Sequence, residues 1–564
     1  MIVDKLSGKK VKADRNSNQT NTIFLIYLIY YTKSAQLSLV ITVKNNMHIR
    51  KYIPILLMAL VVSKTSAQQH DGLKPFEGLN YQLEVQGSVG ADRTPLWLNA
   101  NKHGLSSLEK NNGYLRGSLS RSIEEDADRK WGLGYALDVV APYHYTSNVI
   151  IQQAYVEARW LKAMLTVGSK EWQQELKNDS LSSGNQTLGI NARPVPQVRL
   201  GLDYVTIPYT KGWLHVKGHV AYGKMTDDNW QHDFTQKLSK YADDVMYHSK
   251  AGYLKISNDE VYSPWSLTMG LEMAAFYGGT AYHPNGNDVK VLHGEKGLKG
   301  MWHSLIPGGE EVGEEVYINV AGDHLGSWLM RLDYDADDWR VGFYADKYFE
   351  DHSAMFQLDY DGYGTGEEWN VKKDSRFLLY DFKDMLLGME LNLRDGRWLQ
   401  NLVFEYLYTK YQSGPIYHDH SIGITDHIGG GDNFYNHYIY NGWQHWGQVI
   451  GNPLYLSPLY NSDGRIEVKN NRFRAFHLAF DGEIVNRLNY RVLGTFQEGF
   501  GTYSKPYTKK RRQGSFLTEL ICTPGGRWLE GCTIRGGYSM DFGSILGNNW
   551  GFQLTITKRG LLGK

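Results

Sequence analysis

SWLMRLDYDADDWRVGFYADKY, residues 327–348, reads as two arms around a polar turn. In the first arm Trp328, Met330, Leu332 and Tyr334 share one face and Arg331 and Asp333 the other. After Asp335-Ala336-Asp337-Asp338, Trp339, Val341, Phe343 and Ala345 oppose Arg340, Tyr344 and Asp346. Successive side chains of a strand point to opposite faces, so the segment is a β-hairpin with one apolar and one charged face. The design recurs at Leu387 to Tyr408 around Arg394-Asp395-Gly396-Arg397. There Met389, Leu391, Leu393, Leu402, Phe404 and Tyr406 oppose Glu390, Asn392, Asn401 and Glu405. It recurs again around Asn486-Arg487, where Phe476, Leu478 and Phe480 oppose His477 and Asp481.

Carried along the chain, period-two alternation predicts strands at 80–89, 114–122, 131–140, 150–160, 163–171, 197–207, 213–223, 246–256 and 264–276. Nine more follow at 327–334, 339–348, 384–393, 398–410, 472–483, 488–498, 515–522, 532–540 and 550–558. Short turns alternate with long connections at 172–196, 224–245, 277–326, 349–383 and 411–471. That rhythm, an even strand number and a charged second face predict an all-β fold, a transmembrane antiparallel β-barrel of about eighteen strands. A soluble β-sandwich would also alternate, with its apolar face turned inward.

Composition agrees. The chain carries 39 Tyr, 16 Trp and 19 Phe, yet its mean hydropathy is only −0.45. Trp160, Trp213, Trp265, Trp339 and Trp398 each stand beside a short turn, where a membrane-interface girdle would lie. Sixty basic residues balance sixty acidic ones, which gives no electrostatic reason to expect nucleic acid. The run Lys509-Lys510-Arg511-Arg512 reads as a solvated loop.

Met47 to Ala67 has the pattern of a signal peptide: Arg50 and Lys51, an apolar run from Ile53 to Val62, then Thr65-Ser66-Ala67. Residues 1–46 read as a non-native upstream extension, the exported chain starting near Gln68 and residues 68–564 forming one barrel domain. Cys522 and Cys532 are an even pair in an exported chain, which permits a disulfide and equally permits two free thiols.

No nucleotide-binding or hydrolase motif is present, and no cofactor is expected. Tyr417-His418-Asp419-His420 is the only tight group of metal-type ligands and reads as exposed polar residues, so no metal is expected. Residues 429–458, GGGDNFYNHYIYNGWQHWGQVIGNPLYLSP, set Tyr435, Tyr438, Tyr440, Trp443 and Trp446 among Asp432, Asn433, His437 and Asn452. Sugars offer apolar C–H faces to aromatic rings and hydroxyls to Asn, Asp and His, so these nine residues are a candidate carbohydrate site. A loop packed on its own aromatic side chains would have the same composition.

That stretch resembles the outer-membrane Wzi-type capsule assembly family, in the form common to Bacteroidetes-like chains. Two further stretches carry the resemblance. One is Pro95-Leu96-Trp97-Leu98 with Asn101 and Gly104-Leu105-Ser106-Ser107-Leu108-Glu109; the other is Leu181-Ser182-Ser183-Gly184 leading to Ala192-Arg193-Pro194-Val195-Pro196-Gln197-Val198-Arg199-Leu200. It extends over residues 78–558. The resemblance implies an eighteen-stranded outer-membrane barrel closed by helical and loop elements, with residues 91–112 the best candidates for such a plug. It also implies a nonenzymatic lectin that helps attach exported capsular polysaccharide to the cell surface. Expected partners are surface polysaccharide, outer-membrane lipid and capsule export machinery, with the barrel acting as a monomer. The alternatives are an oligosaccharide channel, with Arg199, Arg331, Arg340, Glu405 and Arg491 facing an aqueous lumen, and a secreted polysaccharide-modifying enzyme.

Overall fold

Alternation along each strand fixes what the sheet must do: bury one face, present the other to lipid and close on itself, because a membrane-embedded edge would leave backbone groups unpaired. The computed structural model describes residues 76–562 apart from 259–260, 262, 307–321, 351–356, 359–376, 379–383 and 418–427. The signal peptide at 47–67, the upstream extension and His418-Asp419-His420 lie outside the described residues.

The strands are β1 (Leu79–Arg93), β2 (Glu109–Arg121), β3 (Trp131–Tyr143), β4 (Ile150–Trp160), β5 (Ala163–Ser169), β6 (Gln197–Thr206), β7 (Leu214–Lys224), β8 (Tyr241–Ile256), β9 (Trp265–Asn285) and β10 (Asp288–His293). They continue as β11 (Asp323–Asp335), β12 (Trp339–Glu350), β13 (Met385–Leu393), β14 (Asn401–Tyr408), β15 (Arg472–Val485), β16 (Leu488–Gly501), β17 (Pro506–Cys522), β18 (Cys532–Gly543) and β19 (Asn549–Leu562). Each pairs antiparallel with its neighbour, and β1 closes the barrel by pairing with both β2 and β19, Leu79 lying opposite Arg121 and Leu562. Among the described residues β10 pairs only with the far end of β9, so eighteen strands form the wall.

The outer face is apolar. Leu83, Leu115, Leu165, Leu200, Phe343, Phe404, Phe476 and Phe552 all project from it. At the short-turn rim Trp131, Trp160, Trp213, Trp265, Trp339 and Trp398 are exposed together, Trp131 stacking on Trp160 across the β3–β4 register. An apolar belt edged by aromatic residues on a closed antiparallel barrel is the outer-membrane form, and the protein is an integral protein of that membrane.

Two strands run nine residues beyond the alternation reading. β9 runs nine residues past 276 because Gly278 and Gly279, with φ of 63° and 70°, turn it away from β11 and onto β10. The connection read as a long loop from 277 thus begins as a hairpin and continues as a helix at Gly297–Leu305. β17 starts at 506, so Lys509–Arg512 is strand rather than loop, though its side chains stay exposed as expected. Two of its cations, Lys510 at 3.1 Å and Arg512 at 3.0 Å, converge with Arg474 of β15 at 2.6 Å on Glu498 of β16. Cys522 and Cys532 are free thiols. Cys522 lies opposite Ile534, which makes Cys532 its diagonal neighbour. Diagonal positions stand about 7–8 Å apart, whereas a disulfide needs Cβ atoms within about 4.5 Å.

Candidate functional site: a plugged lumen beneath an aromatic rim

The inward face is polar and largely buried. Gln86, Asp138, Glu157, Glu272, Asp346, Glu405 and Glu519 are each 5% exposed or less. Such carboxylates survive burial only when ionic or hydrogen-bonding partners meet them, and much of that partnership comes from connections folded into the barrel.

Three connections supply it. From residues 94–108, the short helix Leu96–Asn99 starts where the Leu96 amide donates to Asp541 at 3.0 Å, and the Trp97 indole donates to Thr495 at 3.2 Å beside His477. From 170–196, Lys177 Nζ reaches Asp346 at 2.7 Å with both side chains almost wholly buried, while the Ser183 amide donates to Glu405 at 2.8 Å. From 432–471, the Tyr435 amide donates to Glu350 at 2.6 Å.

The connections also hold one another. Asn101 Nδ2 donates to the Ser183 carbonyl at 3.1 Å, and Asn452 Nδ2 to Ser183 Oγ at 3.1 Å and the Gly184 carbonyl at 2.9 Å. Asn191 Nδ2 donates to the Val449 carbonyl at 2.8 Å, and the Trp443 indole to the Thr187 carbonyl at 2.9 Å. A side chain at Gly451 would collide with the Tyr435 hydroxyl and the Gln186 carbonyl, which is why glycine stands at this crossing.

The inward charges named from the sequence are engaged with the wall and the plug. Arg331 pairs with Asp333 at 2.9 Å and Glu390 at 2.8 Å and donates to the Leu176 carbonyl. Arg340 reaches Asp333 at 3.1 Å. Glu405 accepts from Tyr344 at 2.7 Å. Arg491 pairs with Glu519 at 2.5 Å and donates to the Ser180 carbonyl. Arg199 lies over the Trp172 ring at 3.8 Å and meets His219 at 3.1 Å.

The nine candidate sugar-site residues do not form one surface. Tyr435, Tyr440, Trp443 and Asn452 belong to the plug core. Tyr435 stacks on Tyr455 at 4.0 Å, Trp443 packs between Phe276 and Tyr247, and the Tyr440 hydroxyl donates to the Gly278 carbonyl at 3.0 Å. His437 accepts the Ile439 and Tyr440 amides on Nδ1, and burial lowers its pKa to about 3, so it is a neutral brace. His437 is half-buried, and four more residues reach the surface. Asn433 is exposed and Asp432 half-buried; Tyr438 is 47% exposed beneath the Lys290 ammonium; Trp446 is half-buried.

Trp446 has an unusual backbone. It and Gly447 form the two-residue turn between Gln444–His445 and Gln448–Val449, with φ of 54° and 77°. Positive φ at both positions marks a type I′ turn, which favours Asn-Gly; a bulky ring there carries about 1–2 kcal/mol of strain. The Arg193 guanidinium lies over the ring at 4.2 Å. Next to it is a small groove lined by Trp230, Gln231, Asp227, Asp244, Gln444 and His445. Burial pushes the Asp227 carboxyl up from its ordinary pKa and lowers that of His445 to about 4. Trp230, Asp227 and Asp244 had no signal of their own in the sequence, lying in a connection of ordinary polar composition.

Among the described residues no group of His, Cys, Asp and Glu is placed to hold a metal ion. The arrangement defines the class: an eighteen-stranded outer-membrane barrel whose lumen is closed by its own connections. No protein-family model matches the chain, and no curated protein matches it. Among solved structures it is similar to Wzi of Escherichia coli, described as a carbohydrate-binding β-barrel involved in group 1 capsule assembly, at 12% identity and TM-score 0.48, covering 86% of this chain and 85% of that one. It is also similar to the outer membrane protein OprD of Pseudomonas aeruginosa, at 10% identity and TM-score 0.39, covering 86% and 95%.

Proposed function

We propose that this barrel is a nonenzymatic outer-membrane lectin that holds exported capsular polysaccharide at the cell surface. The observation that carries the reading is the convergence of residues 94–109, 181–200 and 429–458. These are the three stretches that resemble the Wzi-type capsule assembly family, and they lock together inside the lumen. A chain that invests its family-like segments in closing the barrel has its ligand contacts at the rim, where Trp446 presents a partly open ring near Asp227 and Asp244, and Tyr438 another beside Lys290. Strain retained at Trp446 favours a ring kept for contact, since Asn at that turn would be easier to fold.

Purified protein is expected to bind its host's capsular polysaccharide. Trp446→Ala and Tyr438→Ala should each weaken binding by about 1–3 kcal/mol, the usual worth of an aromatic anchor. Wild-type affinity in both variants would remove the rim assignment. Deletion of the gene should shed capsule into the medium, and retained capsule would count against the attachment role. The channel alternative predicts steady conductance in planar bilayers, whereas a closed lectin barrel leaves them silent.

A further inference from the structure

Within the lumen lies a cavity of about 80 Å³ between the 170–196 connection and the wall strands β6 to β9. It has room for several waters. Glu175 and Lys170 at its edge remain 27% and 20% exposed, so it communicates with solvent.

Two guanidinium groups border this cavity, and neither has a carboxylate partner among the described residues. Arg199 rests on Trp172 and donates to His219. Arg193, 9% exposed, donates to Ser147 at 2.9 Å and Thr146 at 3.0 Å, and its Nε has no partner. The nearby carboxylates are committed elsewhere. Glu175 pairs with Lys217 at 2.6 Å, Glu157 with Lys170, and Glu272 accepts from the Tyr253 hydroxyl at 2.7 Å and the Leu188 amide. Across this group four cations face three carboxylates, which leaves a positive charge uncompensated in a poorly solvated place.

Two neutral groups are unpartnered as well: Oε1 of Gln197, a residue 8% exposed, and the Trp172 indole N–H. The set is therefore two cationic forks, one unused acceptor and one unused neutral donor. Guanidinium forks match a carboxylate. The amide oxygen needs a ligand that donates a hydrogen bond, which a fully ionised inorganic anion lacks and a hydroxyl supplies. We infer that the cavity binds the carboxylate and adjoining hydroxyls of an acidic sugar unit of the uronate type, with Arg193 and Arg199 facing the carboxylate and Gln197 and Trp172 the hydroxyls. This site is inside the barrel and adjoins the rim at Trp446, whose ring the Arg193 guanidinium covers at 4.2 Å; Arg199, Gln197 and Trp172 belong to the cavity alone.

The test is calorimetric titration of the full-length barrel in detergent with glucuronate, glucose and sulfate. Glucuronate should bind at least tenfold more tightly than either of the others. Arg199→Gln should reduce glucuronate affinity at least tenfold. Gln197→Met, which keeps the volume and removes the acceptor, should reduce it several-fold; it serves as the second probe if Arg199→Gln does not fold. Trp160→Ala, on the outer face of the wall, should leave glucuronate binding unchanged. Equal binding of glucuronate and glucose, sulfate binding as tightly as glucuronate, or undiminished affinity in the folded variants would overturn the proposal.

Discussion

Trp160 and Trp443 are the same side chain put to opposite uses. Trp160 ends a wall strand at the short-turn rim, 54% exposed, its ring stacked on Trp131 at 6.0 Å and otherwise turned to the membrane interface. Trp443 belongs to no wall strand and has no exposed surface; its indole N–H is spent on the Thr187 carbonyl and its faces on Phe276 and Tyr247. The first ring finds its apolar surroundings in lipid, the second in the protein itself. The molecule thus contains two hydrophobic phases separated by a polar shell, the inward face of the strands. Energetically, the wall is held by backbone pairing and lipid, and the plug by packing that no lipid can replace.

Replacing Trp443 with Ala is the strongest way to break that contrast. Truncating a fully buried Trp costs about 3–5 kcal/mol, and here the loss falls on the plug alone. The variant should keep a folded barrel, lose hydrogen-exchange protection at 181–190 and 443–455, and show current steps in bilayers that are silent with the parent. A variant that stays silent and fully protected would mean the plug does not rely on its aromatic core.

The wall was legible in the sequence because a strand buried on one face and bathed in lipid on the other writes its environment every second residue. Eighteen strands follow from Trp328/Met330/Leu332 and its counterparts without any knowledge of contacts. The plug was not legible in the same way. Tyr435, Trp443 and Asn452 have the composition of a sugar site, but a buried loop needs the same side chains to satisfy its backbone, and composition does not report which side of a ring is occupied. Burial of these residues is set by Gln186, Thr187 and Ser183, some 250 positions away in sequence. Trp446 differs from its neighbours only by its turn geometry, which Trp-Gly does not announce. β10 escaped because its residues, Asp288 to His293, are exposed on both faces and show little period-two contrast.

Acid should sharpen the contrast with a smaller effect. His445, 2% exposed, donates from Nδ1 to the Arg193 carbonyl at 2.8 Å and accepts the Thr226 amide on Nε2, a pattern that requires the neutral ring. Burial lowers its pKa to about 4 from an ordinary 6.5. Its contribution is therefore complete above pH 6.5 and declines as the pH falls toward 4, because the opened loop binds a proton that the closed one refuses. A displacement of that size amounts to about 3 kcal/mol at the acid end. Hydrogen exchange in 443–449 should accelerate across this window while the strands β1 to β5 keep their protection. His445→Gln should flatten the acid dependence; an unchanged slope would assign it to other groups.

The smallest effect belongs to the wall. Trp160→Ala removes one partner of a stacked pair but leaves the vacated space to lipid and water, so no cavity forms and the penalty should be only about 1 kcal/mol, the usual worth of an aromatic pair. Urea unfolding in lipid vesicles, run as a double-mutant cycle with Trp131→Ala, isolates the pair from each ring's own partitioning into the interface. A coupling near zero would mean that the two rings are independent anchors that touch only because their strands are in register. A loss equal to that of Trp443→Ala would sink the distinction itself, since it would show that exposure to the membrane interface does not spare a ring the cost of a cavity.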